Sequence, residues 1–399
     1  MQLPPPSFRT DLARFTVAFE YPVHFTTRAL DPNNPVLIDS LRRREPNRRH
    51  RVLAFLDAGV RQAWPQIDEQ LRQYATAHAS SCQLVDDPVI IPGGESAKND
   101  PNLVQQVLQC ISQQHIDRQS YCLIIGGGAV QDAVGLAAAV AHRGVRVVRM
   151  PTTVLSQNDS GVGVKNGINA FGAKNFVGSF APPFAVVNDA DFLETLEPRD
   201  RLSGIAEAVK VALIRDGEFF EWLWDQVDAL RAFDSTATQV MIRRTAQLHL
   251  NHITTGGDPF EWGSARPLDF GHWAAHRLEN LTQHALRHGE AVAIGIALDS
   301  CYSAQAGLLA VSDAERVCTL LRSLGFTLYH PLLHAKDEQG ELLLWSGLSE
   351  FREHLGGELT VTLLDALGNG VERNYIDRAI LMRSITWLRE IHGSGALLR

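Results

Sequence analysis

The chain has 399 residues, enough for two domains with buried cores, and its 45% hydrophobic and 21% charged content is typical of globular proteins. The net charge of −8 argues against non-specific nucleic-acid binding, and the apolar runs are too short to cross a membrane. The first ten residues lack the basic-then-apolar order of a signal peptide. Five cysteines without CxxC spacing predict reduced thiols in a cytoplasmic protein.

The first half of the chain alternates short β-branched runs with helical patterns. The predicted strands are residues 15–25, 51–56, 83–91, 121–125, 145–150 and 184–188. Helical patterns lie between them, as over 102–114 and 129–142. This alternation predicts a Rossmann-like α/β domain with a mostly parallel sheet covered by helices.

The pattern changes near residue 198. Apolar residues then recur at helical spacing over 205–214, 237–252 and 289–306. A short strand at 358–364 and a last helix at 377–391 follow. We therefore predict an α/β domain over residues 1–198 and a mostly helical domain over 199–399.

Three glycines separate the predicted strand 121–125 from the helix that follows. Gly126, Gly127 and Gly128 allow the backbone to approach a phosphate, and the helix N-terminus offers unpaired N–H groups. Asp132 is placed to hold this turn or to touch a cofactor. A tight strand–helix turn without a ligand is the alternative.

A second segment, PGGESAKN at residues 92–99, carries two residues suited to a nucleotide. Glu95 suits ribose hydroxyls and Lys98 suits a pyrophosphate. A turn followed by a solvated helix start is the alternative.

The polar stretch PTTVLSQNDSGVGVKNGINAFGAKN spans residues 151–175. We expect it to be a flexible segment that forms no buried core element. Lys165 and Lys174 suit a phosphate, while Asp159 and Asn175 suit hydroxyls or phosphate oxygens. An exposed polar loop is the alternative.

A metal site is indicated in the helical half. His272 and His276 are four residues apart and share a helix face, and His288 begins an apolar helix. Glu207 lies on another apolar helix, one turn before Lys210, where a carboxylate needs a partner. One Glu and two His with an open position form a common catalytic zinc set. Core histidines without a metal are the alternative.

In chain order, these motifs resemble the dehydroquinate synthase superfamily, the sugar phosphate cyclases. The shared strings are GGGxxxD, HRGV, PTT, DSGVGVK, KN, AExxK, RPLDFGHxxxH and RHGEAVAIG, from about residue 92 to residue 295. The resemblance implies an N-terminal NAD domain, a C-terminal helical metal domain and an active site in the cleft between them. It also implies NAD and zinc as cofactors, with cobalt able to replace zinc, and a homodimer.

The resemblance assigns site residues position by position. It implies zinc ligands Glu207, His272 and His288. It implies NAD contacts from Asp57, Glu95, Lys98, Gly127, Gly128, Asp132, Thr152, Thr153 and Thr195. It implies a substrate pocket of Asp159, Lys165, Lys174, Asn175, Lys210, Arg266, Asp269 and His276. Arg143 would reach the phosphate bound to the neighbouring subunit.

The implied reaction has several steps on one substrate. NAD oxidises a secondary hydroxyl that the metal polarises, phosphate is eliminated next to the new ketone, and the hydride is returned. The ring then opens, and an intramolecular aldol addition closes a carbocycle. The lysines and the metal stabilise the successive oxyanions.

The loops depart from dehydroquinate synthases proper, which show GGKTG and LNFGH where this chain has GVKNG and LDFGH. A lysine that binds the substrate carboxylate is expected about fourteen residues before Arg266, but Asn251 and His252 stand there. Another lysine expected near residues 351–357 is also absent, and Arg352 or His354 is the alternative cation there. Losing one charge-assisted bond costs about 1.5–3 kcal/mol. Asp269 adds a negative charge, which opposes a carboxylate by about 3 kcal/mol at about 5 Å and an effective dielectric of about 20.

These departures predict a sugar phosphate without a carboxylate. They resemble the sedoheptulose 7-phosphate cyclases, and we expect a valiolone-type cyclitol as the product. The alternatives are a 3-dehydroquinate synthase, in which Arg266 alone holds the carboxylate, a metal-dependent polyol dehydrogenase, and a non-catalytic binding protein that kept the fold.

Overall fold

The computed structural model describes residues 12–260, 267–354 and 357–393. Its first part contains nine strands: β1 (Val23–Thr26), β2 (His50–Asp57), β3 (Cys82–Leu84), β4 (Val89–Ile91), β5 (Tyr121–Gly126), β6 (Arg146–Pro151), β7 (Lys165–Ala170), β8 (Ala173–Phe180) and β9 (Ala185–Asp189). Strands β7 and β8 form an antiparallel hairpin. The other seven form a parallel sheet of order β1-β9-β6-β5-β2-β3, with β4 also paired to β2.

The central strands are apolar on both faces because helices cover both sides of the sheet. Along β2, Ala54 and Leu56 pack into one apolar cluster, while Leu53 and Phe55 pack into another on the opposite face. The helices of this part are α1 (Val36–Arg42), α2 (Ala58–Ala63), α3 (Ile67–Ala77), α4 (Ser96–Asn99), α5 (Leu103–Gln113) and α6 (Gly128–Val140).

Two predicted strands differ from the structure. The strand expected over 15–25 is reduced to β1, since its partner β9 pairs only from Val186 to Asp189. The strand expected over 83–91 is divided into β3 and β4, which pair with successive parts of β2. Pro88 lies between them and has no backbone N–H for a ladder hydrogen bond.

The expectation that residues 151–175 form no buried element was wrong. A π-helical turn over Ser156–Ser160 and the hairpin β7–β8 occupy much of this range, and Gln157 and Asn158 are buried. Backbone carbonyls satisfy these amides: Gln157 Nε2 donates to the Asp189 carbonyl (2.8 Å), and Asn158 Nδ2 donates to the Gly204 carbonyl (2.8 Å). Paired in this way, the polar side chains tolerate burial.

The second part is helical apart from one hairpin. It contains α7 (Pro198–Arg215), α8 (Gly217–Asp225), α9 (Val227–Arg231), α10 (Ser235–Thr255), α11 (His272–Leu281), α12 (His288–Gln305), α13 (Val311–Leu324), α14 (Trp345–His354), β10 (Val361–Ala366), β11 (Asn369–Arg373) and α15 (Arg378–Gly393). The proposed domain boundary near residue 198 lies at the start of α7. Within the described chain, no helix combines the length and apolar character that crossing a membrane requires.

The start of α11 is fixed by close packing against α12. Gly271 has a left-handed backbone (φ 77°), and a Cβ there would lie 2.6 Å from the Ile296 nitrogen, so a side chain would not fit. Asp299 of α12 accepts hydrogen bonds from the Gly271 N–H and the Trp273 indole, both at 3.0 Å. These contacts determine where His272, between the two donors, enters the helix.

The buried Asp299 also makes the stability of the fold depend on pH. Burial raises the pKa of Asp299 from 3.8 to about 7, against the smaller lowering effect of the two hydrogen bonds. The folded protein therefore holds a proton that the unfolded chain releases, and stability falls as pH rises from about 4 to about 7.

We expect Asp299→Asn to remove this pH dependence of the stability. The variant leaves either the Gly271 N–H or the Trp273 indole poorly paired, because an amide has one acceptor oxygen. The free energy of unfolding of the wild type, minus that of the variant, should fall by about 2 kcal/mol between pH 5 and pH 7. Urea denaturation of both proteins at these pH values measures it. Parallel stability curves for the two proteins would contradict a raised pKa at Asp299.

Candidate active site

The candidate site lies where the carboxyl ends of the central strands meet α7. In open parallel sheets this edge is the usual ligand-binding crevice. The turn after β6 packs on α7 through the Asn158–Gly204 hydrogen bond. Residues from both parts of the chain therefore converge here.

The glycine turn leaves a cradle without side chains. Helix α6 begins at Gly128, and no side chain caps its N-terminus. A Cβ on Gly128 would lie 2.5 Å from Ser160 Oγ, which is buried and has no hydrogen-bond partner among the residues that the structure describes. Asp57, at the end of β2, lies against Gly126 in the same crevice. Free helix N–H groups, an unpaired hydroxyl and a carboxylate fit the phosphates and ribose of a dinucleotide.

Burial raises the pKa of Asp57, and hydrogen bonds from the backbone of Gly59, Val60 and Gly127 offset only part of that effect. Asp57 Oδ1 accepts from the Gly59 N–H at 2.7 Å. This carboxylate is thus held by local backbone beside the glycine turn.

Three more of the expected cofactor residues form a polar group near this turn. Lys98 Nζ donates to Asp132 Oδ2 at 2.7 Å, so these two side chains are paired with each other. Glu95 accepts from Asn169 Nδ2 (2.8 Å). Burial raises the pKa of Glu95, but the positive charges of Lys174 and Lys98 lower it by a larger amount. Glu95 is therefore ionised at neutral pH.

The three expected threonines differ in their surroundings. Thr152 is buried directly after β6. Thr153 Oγ1 accepts from the Ser156 N–H (3.1 Å) and holds the π-helical turn. Thr195 Oγ1 donates to the Phe192 carbonyl (3.3 Å) within its own 3₁₀ turn.

The structure brings the three expected metal ligands together. Glu207 Oε1 lies 3.5 Å from His272 Nε2 and 3.4 Å from His288 Nε2. In a tetrahedral zinc site with bonds of about 2.0–2.1 Å, neighbouring ligand atoms are about 3.3 Å apart. The spacing of these three atoms therefore fits one divalent ion.

The histidines are also oriented for metal binding. His272 Nδ1 lies 3.1 Å from the Phe270 carbonyl, and His288 Nδ1 lies 3.2 Å from Glu279 Oε2. With a metal bound, donation from each Nδ1–H would leave the Nε2 lone pair of each ring free to bind the ion. Among the described residues, Glu207 Oε1 is a buried carboxylate oxygen without a hydrogen bond, which a cation would satisfy.

Charged groups continue from this centre towards the glycine turn. Lys210 forms an ion pair with Glu207. Burial lowers the pKa of Lys210, but the negative charges of Glu207 and Asp159 raise it by a larger amount, so the net pKa is raised. Burial and the nearby Glu207 raise the pKa of Asp159, but Lys210 and His249 lower it by a larger amount. The net pKa lies below its ordinary value, so Asp159 is ionised. Asp159 directly precedes Ser160 of the cradle, so the metal centre and the cradle adjoin.

Asp269 and His276 complete this side of the site. Burial raises the pKa of Asp269, but Lys165, His272 and His276 lower it by a larger amount. Asp269 therefore carries a negative charge. Burial, then Lys174 and His272, lowers the pKa of His276 well below its ordinary value, so this imidazole is neutral. Its ring stacks on that of His288 with centroids 6.0 Å apart.

Four other residues expected around the substrate lie outside the buried centre or outside the described residues. Lys165 is exposed at the start of β7, and Asn175 is exposed on β8, where its N–H donates to Asn169 Oδ1 (2.9 Å). Arg143 is exposed beyond the far end of α6, about 20 Å along the helix from the glycine turn. Arg266 lies outside the described residues.

Three residues of the site were missed by the sequence reasoning: Arg149, His249 and Glu279. Glu279 is nearly fully buried, and its position seven residues after His272 and three after His276 on one helix face was an available signal. Arg149 is fully buried on β6 and donates to the carbonyls of Gly161 (3.1 Å), Gly163 (2.9 Å) and Lys165 (3.1 Å). Its place in an otherwise apolar strand segment was also an available signal, since a buried charge needs partners.

Glu279 links the hairpin to the metal centre. Its Oε1 accepts from Lys174 Nζ at 2.7 Å, while its Oε2 faces His288. Lys174, expected in the phosphate pocket, is therefore paired with a carboxylate here. The same residue holds the ligand His288 in the orientation that metal binding needs.

We expect Glu279→Ala to weaken metal binding about 10- to 100-fold, because His288 loses the acceptor that fixes its tautomer. Competition with a chelator measures the affinity. Glu350→Ala removes an exposed glutamate paired with Arg277 and serves as the matched control. Equal metal affinities of the two variants would contradict this role of Glu279.

Comparison with known proteins identifies the family of the chain. The family models for the 3-dehydroquinate synthase N-terminal and C-terminal parts match residues 88–203 and 204–341. A 3-dehydroquinate synthase of Jannaschia sp. (strain CCS1) is 37% identical over 251 residues, which are 62% of this chain and 67% of that protein.

Solved structures show the same fold. The 2-epi-5-epi-valiolone synthase ValA of Streptomyces hygroscopicus subsp. jinggangensis 5008, with NAD+ and Zn2+ bound, is 29% identical with a TM-score of 0.83, covering 95% of this chain and 99% of that one. A 2-deoxy-scyllo-inosose synthase complexed with carbaglucose-6-phosphate, NAD+ and Co2+ is 21% identical with a TM-score of 0.71, covering 93% and 96%. The expected fold class, a Rossmann-like parallel sheet followed by a helical part, is confirmed. The chain belongs to the dehydroquinate synthase superfamily.

Proposed function

We propose that this protein is a sugar phosphate cyclase that converts sedoheptulose 7-phosphate to a valiolone-type cyclitol with NAD and one divalent ion, zinc or cobalt. The observation that carries the proposal is the convergence of Glu207, His272 and His288, with Lys210 and Asp159 as charged neighbours of Glu207. The similarity of this chain to ValA, which has NAD+ and Zn2+ bound, supports the proposal that it uses both cofactors.

When bound, NAD would accept and later return a hydride, and the divalent ion would polarise the hydroxyl being oxidised. Of the chain's own residues, Glu207, His272 and His288 would hold the ion. The cradle from Gly126 to Gly128, with Asp57 and Ser160, would hold the dinucleotide.

Lys210 and Asp159 would act on the sugar itself. Both are charged and lie next to Glu207. An ammonium group in this low-dielectric position stabilises the oxyanions that form as the ketone, the enolate and the aldol product develop. Asp159 can accept hydrogen bonds from sugar hydroxyls and fix the ring orientation.

The substrate phosphate would be met by residues of two subunits. Asn175 and Lys174 lie on the hairpin, and Lys165 begins it. Arg143 lies too far along α6 to reach the glycine turn of its own chain. We propose that it completes the phosphate site of a partner copy in a homodimer, and that the enzyme acts in the cytoplasm, where its five free thiols stay reduced.

Charge favours a sugar that carries no carboxylate. Asp269 is ionised and faces the metal ligand His272. Neither position expected for the family lysine supplies a cation to the site: Asn251 is exposed, and His252 Nδ1 lies 3.2 Å from Arg215. A carboxylated sugar would thus meet repulsion without a compensating cation from α10.

The substrate prediction is tested by offering both sugars to the purified enzyme with NAD and zinc. We expect phosphate release and a new cyclitol, seen by mass spectrometry, from sedoheptulose 7-phosphate. Phosphate release only from the carboxylated heptulosonate 7-phosphate would contradict the proposal and support the 3-dehydroquinate synthase alternative, which the Jannaschia relative favours. Net reduction of free NAD by a polyol would support a dehydrogenase.

Lys210→Ala is expected to lower kcat by at least about 100-fold while leaving NAD bound. The reason is that the side chain would stabilise charge on the sugar, and its charged neighbours are Glu207, Asp159 and Asp269. Turnover and the NAD content of the purified variant measure the two effects separately. Loss of NAD occupancy with little change in kcat would assign Lys210 to the cofactor site.

A further inference from the structure

The hairpin β7–β8 is irregular beside Asn175. The residues before and after Asn169 on β7 pair with Val177 and Ala173 of β8, so three residues of β8 lie opposite Asn169 alone. A bulge of this kind leaves the extra residues out of the regular ladder and changes the direction in which their side chains point. The bulge therefore determines how the Asn175 side chain is presented.

Asn175 also has an unusual backbone conformation. Its φ of 53° lies in the left-handed region, which residues with a side chain rarely adopt and which Asn tolerates better than most. Its N–H donates to the side chain of Asn169, with 2.9 Å between the nitrogen and Oδ1. Such conformations persist where the surrounding structure fixes them, and they cluster at ligand-binding sites.

The amide of Asn169 is oriented by partners of fixed character. The backbone N–H of Asn175 can only donate, so it meets Oδ1, while the ionised Glu95 carboxylate can only accept, so it meets Nδ2 at 2.8 Å. Nδ2 also donates to Asn99 Oδ1 at 2.7 Å. Glu95 directly precedes α4 and Asn99 ends it. Asn169 thus ties the bulge to a helix outside the hairpin.

We propose that Asn169 is a positioning residue of this site: it holds the left-handed backbone of Asn175 and so directs the Asn175 side chain to the substrate phosphate. The proposal rests on the proposed function, in which Asn175 meets that phosphate. Glu95 and Asn99 serve as the fixed anchor, because their contacts with Nδ2 leave Oδ1 facing the Asn175 N–H.

The test measures the dissociation constant of sedoheptulose 7-phosphate by calorimetry. The enzyme is loaded with zinc and NADH, which cannot take a hydride from the sugar, so binding is measured without turnover. Asn169→Ala should raise the constant about 3- to 10-fold, the size of one lost hydrogen bond. Asn102→Ala is the matched control: Asn102 is exposed in the same domain, and its side chain makes no capping hydrogen bond among the residues described. Its constant should equal that of the wild type.

An Asn175→Gly background separates action through Asn175 from a general structural effect or an effect through Glu95. Glycine adopts the left-handed conformation without support and has no side chain to direct. Adding Asn169→Ala to this background should therefore change the constant by less than about two-fold. The same rise in both backgrounds, or no rise in the otherwise wild-type protein, would overturn the proposal. Failure of the proposed function would show separately, as absence of cyclitol formation by the wild type with NAD.

Discussion

The site depends on a carboxylate that the fold buries without a hydrogen bond. Glu207 lies on α7 among apolar neighbours, and its Oε1 lies 3.5 Å from His272 Nε2 and 3.4 Å from His288 Nε2. An ionised group in this position is costly unless a cation is close, and Lys210 reaches only the other oxygen. A divalent ion resolves the conflict, because one charge satisfies the carboxylate and both histidines.

The surrounding structure holds this arrangement in place from several directions. Asp299 and the left-handed Gly271 fix the start of α11 and so His272, while Glu279 orients His288. Arg149 gathers three carbonyls of the chain after Asp159, which fixes the turn between the metal centre and the glycine cradle. Asp159 and Asp269 place two negative charges near this centre, which under the proposed function would disfavour a carboxylated sugar.

Much of the fold was predictable from the sequence, and so was the grouping of the three candidate metal ligands. The central residues of β2 and β5 are apolar because both faces are covered. Glu207 and His288 stood out on apolar helices, and His272 stood out by its spacing from His276. The hairpin β7–β8 was not predicted, because its sequence is polar and lacks the apolar alternation of a typical strand. Arg149 of β6 bonds the start of the hairpin, at Lys165 and Asn166, a contact that sequence reasoning did not anticipate. His249 was missed because counting along the chain pointed to Asn251 and His252, and only helix rotation shows which side chain faces Asp159.

The central claim is that one divalent ion is bound by a carboxylate and two imidazoles. X-ray absorption at the zinc edge of the purified, zinc-loaded protein tests it directly. The structure predicts a shell of nitrogen and oxygen atoms at about 2.0–2.1 Å with the scattering pattern of two imidazoles, lost in Glu207→Ala. Sulfur ligands at about 2.3 Å, or an unchanged shell in that variant, would contradict it.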